Sequence, residues 1–234
     1  MQKVIVIKYG EYEIKEQDGR VTVSNVRDFN PVHIFECGQC FRWIRQEDGS
    51  YIGVAKGKAV IVRYMDDKLE ISNSTIEDFK NIWFDYFDLG RDYSEIKTML
   101  SKDEIMKKAI EFGYGIRLLR QDLWETLISF IISANNRIPM IMKVVAAISE
   151  MYGSEIIMDG KSYYTFPEVD NLAASALEQL EMCKGGFRCK YILKTAEMVK
   201  NGTVNLAGLA DMTTHEAREE LKKFPGVGNK VADC

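Results

Sequence analysis

The last eleven residues of the chain, "FPGVGNKVADC" (Phe224–Cys234), narrow the choice of fold more than any other stretch. Pro225 cannot continue a helix, because its ring fixes φ and it has no backbone donor. Gly226 and Gly228 permit positive φ and let other groups approach the backbone closely. A second helix is expected to begin near Asn229. The stretch therefore predicts two helices joined by a tight glycine hairpin.

This hairpin is suited to binding phosphate. The backbone N–H groups of Gly226, Val227 and Gly228, with those that open the next helix, form a nest at a positive dipole end. A phosphate of the DNA backbone fits such a nest, and binding of this kind does not depend on the base sequence of the DNA. An ordinary corner between two helices is the alternative. A P-loop is excluded, because no strand precedes the glycines and no Ser or Thr follows Lys230 to hold magnesium.

Lys230 is a candidate nucleophile, because it lies in the first turn of the predicted second helix. An amine attacks carbon only in its neutral form, and both the helix dipole and burial in a pocket favour that form. The alternative is a surface lysine that contacts a phosphate, and the spacing alone favours this alternative.

Composition allows a large folded core and hides a basic patch. The 234 residues are 46% hydrophobic, which suits one large domain or two ordinary ones. The net charge of −4 argues mildly against nucleic acid as a partner. Residues 184–194, however, carry four basic side chains and no acidic one. A solvated helix face would explain the lysines there, but not Phe187 among them.

The five cysteines are expected to be reduced thiols. No secretion signal opens the chain, and no run reaches the roughly 18 apolar residues of a membrane span. We therefore expect no membrane contact, and a location in the cytoplasm (nucleoid) of a prokaryote or in a eukaryotic nucleus. Cys37 and Cys40 have the spacing of half a zinc site, but Cys183 and Cys189 have no histidine nearby. We expect no metal and no cofactor at the site.

The pattern of residues predicts an α+β fold. Four segments of the first third are typical of strands, "QCFRWIRQ", "YIGVAK", "AVIVRY" and "KLEIS", and turn signals at 48–49, 56–57 and 66–67 separate them. Such close spacing predicts an antiparallel meander. Helices follow from residue 74, where apolar residues recur at helical spacing. We predict an N-terminal antiparallel sheet domain with helices at 1–110 and a helical domain at 111–234.

Capping residues mark three of the predicted helices. Ser101 is expected to cap "KDEIMKKAIEF", and Gly113 to end it. Asp122 and Glu125 form a predicted capping box before "LWETLISFIISA". A second box, Thr213 with Glu216, precedes "HEAREELKKF".

Five motifs in order give the chain a family resemblance. They are "GQCFRW" (38–43), "GIRLLRQD" (115–122), "SFIISANN" (129–136), "GGFRCKY" (185–191) and "FPGVGNKVADC" (224–234). Together they resemble the 8-oxoguanine DNA glycosylases of the helix-hairpin-helix superfamily. The resemblance implies a bifunctional, monomeric enzyme that removes 8-oxoguanine from double-stranded DNA. It then nicks the abasic site through a Schiff base, with no redox cofactor or catalytic metal. A structural cation at the hairpin stays open.

Three residues match the family's chemistry and base recognition. Lys230 matches the nucleophile that attacks the sugar C1′. Gly38 matches the glycine whose carbonyl accepts a hydrogen bond from N7–H of 8-oxoguanine, a donor that guanine lacks. Cys234 matches the thiol that packs on the flipped base. Taken without the resemblance, Gly38 could be a strand bulge.

Five further residues match positions that contact the DNA. Asn135 matches the asparagine that fills the space left by the base, and Asn136 matches a neighbour lining the lesion site. Phe187 stands where the family wedges an aromatic ring beside the orphaned cytosine. Arg188 stands where an arginine hydrogen-bonds that cytosine. Met140 replaces a second arginine of many members. A helix C-cap is the alternative role for the two asparagines.

The end of the chain departs from the family. The family continues to an aspartate needed for catalysis and to helices that complete the base pocket, and Asp233 is out of register with that aspartate. We expect a fragment of a longer enzyme that lacks activity by itself. Three alternatives stay open: a helix-hairpin-helix glycosylase for another damaged base, a non-catalytic DNA-binding protein, and a structural domain with no DNA role.

Overall fold

The chain divides into two units in the computed structural model, which describes residues 4–234. The first unit ends at Gln121, and the second runs from Asp122 to Cys234. The first is built on a sheet with helices, and the second is mostly helical. The α+β class predicted from the sequence is confirmed.

A seven-stranded antiparallel sheet forms the frame of the first unit. Its strands are β1 (Ile5–Tyr9), β2 (Tyr12–Gln17), β3 (Arg20–Ser24), β4 (Trp43–Arg45), β5 (Tyr51–Ala55), β6 (Lys58–Met65) and β7 (Lys68–Ser72). Their order is β1-β2-β3-β7-β6-β5-β4. Each of the three predicted turns closes a hairpin, with positive φ at Gly49, Lys56 and Asp66.

The predicted meander is confirmed for β4 to β7 but is only part of the sheet. Three further strands, which the predicted meander did not include, join it where β3 pairs with β7, with Val21 opposite Ile71. Alternate residues of these strands face the core, among them Ile14, Val21 and Val23, which are fully buried. The predicted strand at 39–46 is too long, because only Trp43–Arg45 pairs and the residues before it form a loop.

The helices of the first unit follow the sheet and flank its loops. They are α1 (Pro31–Phe35), α2 (Ile76–Asp78), α3 (Phe84–Tyr86), α4 (Tyr93–Leu100) and α5 (Glu104–Phe112), with a π-helical turn at Phe79–Trp83 between α2 and α3. The helical spacing after residue 74 thus holds, but with a wider turn inside it. Thr75 and Asp78 form a capping box before α2.

The predicted cap of α5 is wrong by two residues. Asp103, and not Ser101, accepts the amides of Ile105 and Met106. Ser101 ends α4 instead, because its hydroxyl donates to the Lys97 carbonyl at 2.7 Å. Gly113 follows α5 as its C-terminal cap, as predicted.

Aromatic rings fill the core of the first unit. Phe35 stacks on Trp43 with ring centroids 4.4 Å apart, and Phe87 lies against both. The indole N–H groups are also bound, since Trp43 donates to the Tyr86 hydroxyl and Trp83 to Ser74, each at 2.9 Å. Each pair combines apolar burial with a satisfied polar group, so the sheet and its helices are held together firmly.

The second unit is a helical bundle that also contains a β-hairpin. It contains α6 (Leu123–Ser133), α7 (Ile138–Tyr152), β8 (Glu155–Met158), β9 (Lys161–Tyr164), α8 (Val169–Ala173), α9 (Leu177–Glu181), α10 (Arg188–Lys200), a 3₁₀ turn (Ala207–Asp211), α11 (Thr214–Leu221) and α12 (Asn229–Ala232). Asp122 caps α6, and Thr213 with Glu216 forms the predicted capping box of α11. The β8–β9 hairpin is a feature that the sequence patterns missed.

The apolar face of α6 is the centre of this unit. Ile128, Ile131 and Ile132 are fully buried, and α7, α10 and α12 all pack against the helix. Trp124 donates its indole N–H to the Pro167 carbonyl at 2.9 Å. The arrangement brings the ends of α6, α10 and α12 into one bundle. Across residues 4–234, none of the helices has both the length and the apolar character needed to cross a bilayer.

Candidate active site

The glycine hairpin joins α11 to α12 as predicted. Helix α11 stops before Pro225, and Phe224 and Val227 anchor the turn, being 2% and 7% exposed. The Val227 amide donates to the Phe224 carbonyl at 3.2 Å, which closes the turn. The first backbone N–H groups of α12 donate to no carbonyl within the helix and can hydrogen-bond to an anion. Because the Val227 side chain is buried, any contact it makes with DNA must come from its backbone.

The two hairpin glycines are not equivalent. Gly226 has φ +82°, whereas Gly228 has φ −99°, which any residue can adopt. A Cβ atom on Gly226 would lie 2.7 Å from Cδ2 of Tyr191 on α10, while one on Gly228 would meet open space. Of the two glycines that permit positive φ, only Gly226 therefore uses it. Tyr191 fixes the hairpin against α10, a contact that the sequence reading missed.

We expect Gly226→Ala to destabilise the protein by about 2 kcal/mol, because a left-handed alanine costs about 1–2 kcal/mol and the ring of Tyr191 must move. Urea unfolding measures this change. Gly228→Ala is the matched control and should cost less than about 1 kcal/mol, the loss of a glycine N-cap. Equal effects of the two substitutions would contradict the assignment of strain to Gly226.

Lys230 and Cys234 lie one helical turn apart after the hairpin. The Cys234 thiol donates to the Lys230 carbonyl at 3.2 Å, so both residues belong to one face. Both side chains are exposed, so the described residues do not supply the burial that would favour a neutral Lys230 amine. Helix α12 spans four residues, too short for a full macrodipole. Asp233 is bound to Arg218 of α11 at 2.6 Å, which ties the two helices together.

The turn between α6 and α7 presents Asn135. Asn135 has φ +50°, a left-handed conformation that asparagine tolerates well. Its side-chain amide makes no hydrogen bond to any residue that the structure describes, and the residue is exposed. Asn136 instead caps the end of α6, because its Nδ2 donates to the Ile132 carbonyl at 3.2 Å; its Oδ1 accepts from the Arg137 amide at 2.9 Å. Capping, the alternative role, thus describes Asn136.

Arg188 holds this turn to the start of α10. Its Nε and Nη2 both donate to the Ala134 carbonyl, and Nη2 also donates to the Asn135 carbonyl at 2.9 Å. Its Nη1 donates to the Gly185 carbonyl at 3.3 Å. A guanidinium that caps the carbonyls at the end of α6 compensates their partial negative charge. In this structure Arg188 therefore fixes the backbone that carries Asn135.

Phe187 projects beside this cap. Its ring is 56% exposed and packs edge-on against Tyr191, with centroids 5.8 Å apart. The Arg188 guanidinium carbon lies 4.5 Å from the Phe187 centroid, within range of a cation–π contact. A separate open groove of about 340 Å³ is lined by Asn135, Asn136, Arg137 and Met140. An exposed aromatic ring held on two sides is suited to stacking on a base.

The loop that carries Gly38 belongs to the first unit. Gly38 has φ +88° and is half-buried. Within residues 4–234 no group donates a hydrogen bond to its carbonyl oxygen. The loop follows α1, where Glu36 is bound by the Tyr51 hydroxyl. Burial, and then the bond to Glu36, raises the pKa of Tyr51, so its hydroxyl remains a donor at neutral pH. The Gly38 carbonyl is therefore available as an acceptor, and the loop that carries it is held in place at Glu36.

The cysteines differ in accessibility. Cys37 and Cys234 are exposed, whereas Cys40, Cys183 and Cys189 are buried free thiols. Burial raises the pKa of Cys183 to about 11, so this thiol stays protonated at neutral pH. In the described part of the chain, no group of three or more His, Cys, Asp or Glu side chains could hold a metal ion.

The comparisons with known proteins agree with this architecture. Residues 21–127 match the family model of the 8-oxoguanine DNA glycosylase N-terminal domain. The Clostridium acetobutylicum 8-oxoguanine glycosylase/lyase, solved with double-stranded DNA containing cytosine opposite 8-oxoguanine, is 51% identical. Its TM-score is 0.93, and the match covers 94% of this chain and 76% of that one.

Two curated relatives are more distant. The N-glycosylase/DNA lyase of Saccharomyces cerevisiae is 31% identical over 86% of this chain, and OGG1 of Arabidopsis thaliana is 30% identical over 86%. The chain spans 60% and 58% of the lengths of these relatives. A sheet unit followed by a helical unit with this hairpin has the architecture of a helix-hairpin-helix DNA glycosylase. Within that class, the chain belongs to the 8-oxoguanine DNA glycosylase family.

Proposed function

We propose that the protein is a bifunctional glycosylase and lyase that excises 8-oxoguanine from duplex DNA. The observation that carries the proposal is the placement of Lys230 and Cys234 on one face of α12, directly after a hairpin suited to phosphate. The related Clostridium enzyme is named a glycosylase/lyase and was solved on DNA containing cytosine opposite 8-oxoguanine.

In the proposed reaction, the lone pair of Lys230 Nζ attacks C1′ of the damaged nucleotide. The glycosidic bond breaks, and the base leaves with the bonding electrons. Loss of a proton from nitrogen and opening of the sugar ring give a Schiff base between Nζ and C1′. β-Elimination then removes a proton from C2′ and breaks the C3′–O bond, and the 3′ phosphate leaves, which nicks the strand. Cys234 is proposed to contact the base before it leaves, since its thiol lies one turn from Lys230.

The second unit is also proposed to supply the DNA contacts. The hairpin backbone at Gly226, Val227 and Gly228 would bind a phosphate. Phe187 would stack beside the unpaired base, and Asn135 would occupy the space left by the flipped nucleotide. Flipping costs a few kcal/mol, and stacking on an aromatic ring returns about 1–3 kcal/mol per base. The exposed ring of Phe187 supports the first role, and the Asn135 amide, which bonds to no residue within 4–234, supports the second.

Excision and borohydride trapping test the proposal. A duplex with 8-oxoguanine opposite cytosine should yield free base, a nicked strand and a reduced covalent adduct. A duplex with guanine in place of the lesion should yield none of these. Binding to lesion DNA with no excision and no adduct would support either a non-catalytic binder or a fragment that lacks the catalytic aspartate of the family. Equal excision of several other damaged bases would support a different glycosylase of the same superfamily.

Met140 predicts a relaxed preference for the base opposite the lesion. Methionine cannot donate a hydrogen bond, and its side chain is 44% exposed in the groove beside Asn135. We expect Met140→Arg to raise the ratio of excision opposite cytosine to excision opposite adenine about 10-fold, since a bidentate pair is worth about 1–3 kcal/mol. Excision kinetics on the two duplexes measure the ratio.

Met212→Arg is the matched control, because it adds the same charge at an exposed methionine just after the 3₁₀ turn. It should leave the ratio unchanged. An unchanged ratio in Met140→Arg as well would rule out a role for this position in choosing the opposite base.

A further inference from the structure

The side chain of Gln39, next to Gly38, has all its hydrogen-bonding groups occupied. Its Nε2 donates to the carbonyls of Ile34 and Arg117, each at 2.9 Å, and its Oε1 accepts from the Leu119 amide at 3.0 Å. A carboxamide has two donors and one acceptor oxygen, and each is used here. Gln39 therefore bridges α1 and a segment about 80 residues further along the chain.

The backbone of Gln39 is tied to the same segment. Its carbonyl oxygen accepts from Nε2 of Gln121 at 2.5 Å. Residues 117–121 thus bind Gln39 through both its side chain and its main chain. This segment belongs to "GIRLLRQD", a motif that had no role in the reaction described above.

The segment that holds Gln39 is itself anchored in the core. Arg117 is 3% exposed and donates to the carbonyls of Arg27, Asp28 and Asp88 at 2.7–2.9 Å. The Leu118 amide donates to the Tyr93 hydroxyl at 2.9 Å. Charge-assisted bonds to buried carbonyls are strong and costly to break. The partners of Gln39 are therefore a stiff support.

We infer that Gln39 is a positioning residue that fixes the direction of the Gly38 carbonyl, an inference that rests on the proposed function. The Gly38 carbonyl and the Gln39 nitrogen share one planar peptide unit. Glycine at φ +88° has wide conformational freedom, so Gly38 cannot set that plane by itself. The bonds to the side chain and carbonyl of Gln39 fix this peptide plane at its Gln39 end.

In the role that the family resemblance implies for Gly38, the direction of this carbonyl decides which base is accepted. 8-Oxoguanine presents an N–H donor at N7, and guanine presents an acceptor at the same place. A fixed carbonyl binds the first and repels the second, whereas a carbonyl free to turn away loses both effects. The loss of Gln39 should therefore weaken recognition of the lesion and leave general DNA binding intact.

The experiment compares Gln39→Leu and Gln39→Glu with wild type, using the full chain. Glutamate keeps the shape but removes the two donors. Gln46→Leu is the matched control, because among the described residues the Gln46 side chain bonds only to the nearby Ile44 carbonyl. The affinity of each protein is measured for three duplexes, containing 8-oxoguanine, guanine or a tetrahydrofuran abasic analogue opposite cytosine. Hydrogen exchange of the Leu119 amide, measured without DNA, reports on its bond to Gln39.

Both Gln39 variants should lower the ratio of 8-oxoguanine to guanine affinity about 10-fold, the loss of one well-directed hydrogen bond. Affinity for the abasic duplex should stay within about twofold, because no base is read there. Gln39→Leu should also speed exchange of the Leu119 amide. A parallel loss on all three duplexes would overturn the inference in favour of a structural role, and so would an unchanged ratio. A wild-type chain with no preference for the lesion would overturn the proposed function and this inference together.

Discussion

Lys230→Gln is expected to reduce borohydride trapping on an abasic duplex to background, a loss of roughly 10³-fold or more. The amine condenses with the C1′ aldehyde of the abasic site, water leaves, and hydride reduces the resulting C=N bond to a stable amine. Glutamine has no nucleophilic nitrogen, so this bond cannot form. An abasic duplex is the substrate of choice, because it needs the nucleophile but not base excision. Gel mobility of the cross-linked complex measures the result.

Lys223→Gln is the matched control for this loss. Lys223 is another exposed lysine near the hairpin, paired with Glu220 and without a role in the proposed reaction. It should trap DNA as wild type does. Should Lys230→Gln still form the adduct, another amine is the nucleophile, and the assignment of Lys230 fails.

Arg188→Met is expected to lower the free energy of unfolding by about 1–3 kcal/mol, because charge-assisted bonds to three backbone carbonyls are lost. Arg188→Lys should recover only part of this, since an ammonium cannot reproduce the planar fork. The affinity for lesion DNA should fall as well, because Asn135 loses its backbone support. Urea unfolding and duplex binding measure the two effects in the same proteins.

Arg137→Met is the control, because Arg137 is exposed in the neighbouring groove and caps nothing with its side chain. Its stability should stay within about 0.5 kcal/mol of wild type. If Arg188→Met were as stable as this control while losing DNA affinity, the role of Arg188 would be to contact DNA and not to stabilise the fold. A stability loss in the free protein supports the capping role.

Local backbone preferences made the hairpin predictable. Pro225 ends a helix and Gly226 allows positive φ whatever surrounds them, and the structure uses both. The β4–β7 meander was predictable for the same reason, since its turn residues lie beside its strands. Phe187 and Arg188 were found through a motif, yet that motif did not reveal the bonds of Arg188 to a turn more than 50 residues earlier.

Long-range pairing explains the misses. The strand pattern continues through 39–46, but the side chain of Gln39 bonds to residues 78 and 80 positions away and turns the first half into a loop. No local pattern encodes such partners. The pairing of β3 with β7 is also distant in sequence, since Val21 pairs with Ile71. Ser101 failed as a cap because Asp103 lies close by and is the stronger acceptor for the amides of α5.

The hydrogen bonds of Arg188 to the protein limit its ability to discriminate between unpaired bases. A guanidinium has five N–H groups, and in this arrangement four are already given to protein carbonyls. One remaining N–H can make one bond, and every nucleobase offers at least one acceptor on its pairing edge. Discrimination by a fork needs two donors set against two acceptors. In the proposed complex with DNA, the bonds that stiffen the turn are therefore expected to leave Arg188 little ability to discriminate between bases on the opposite strand.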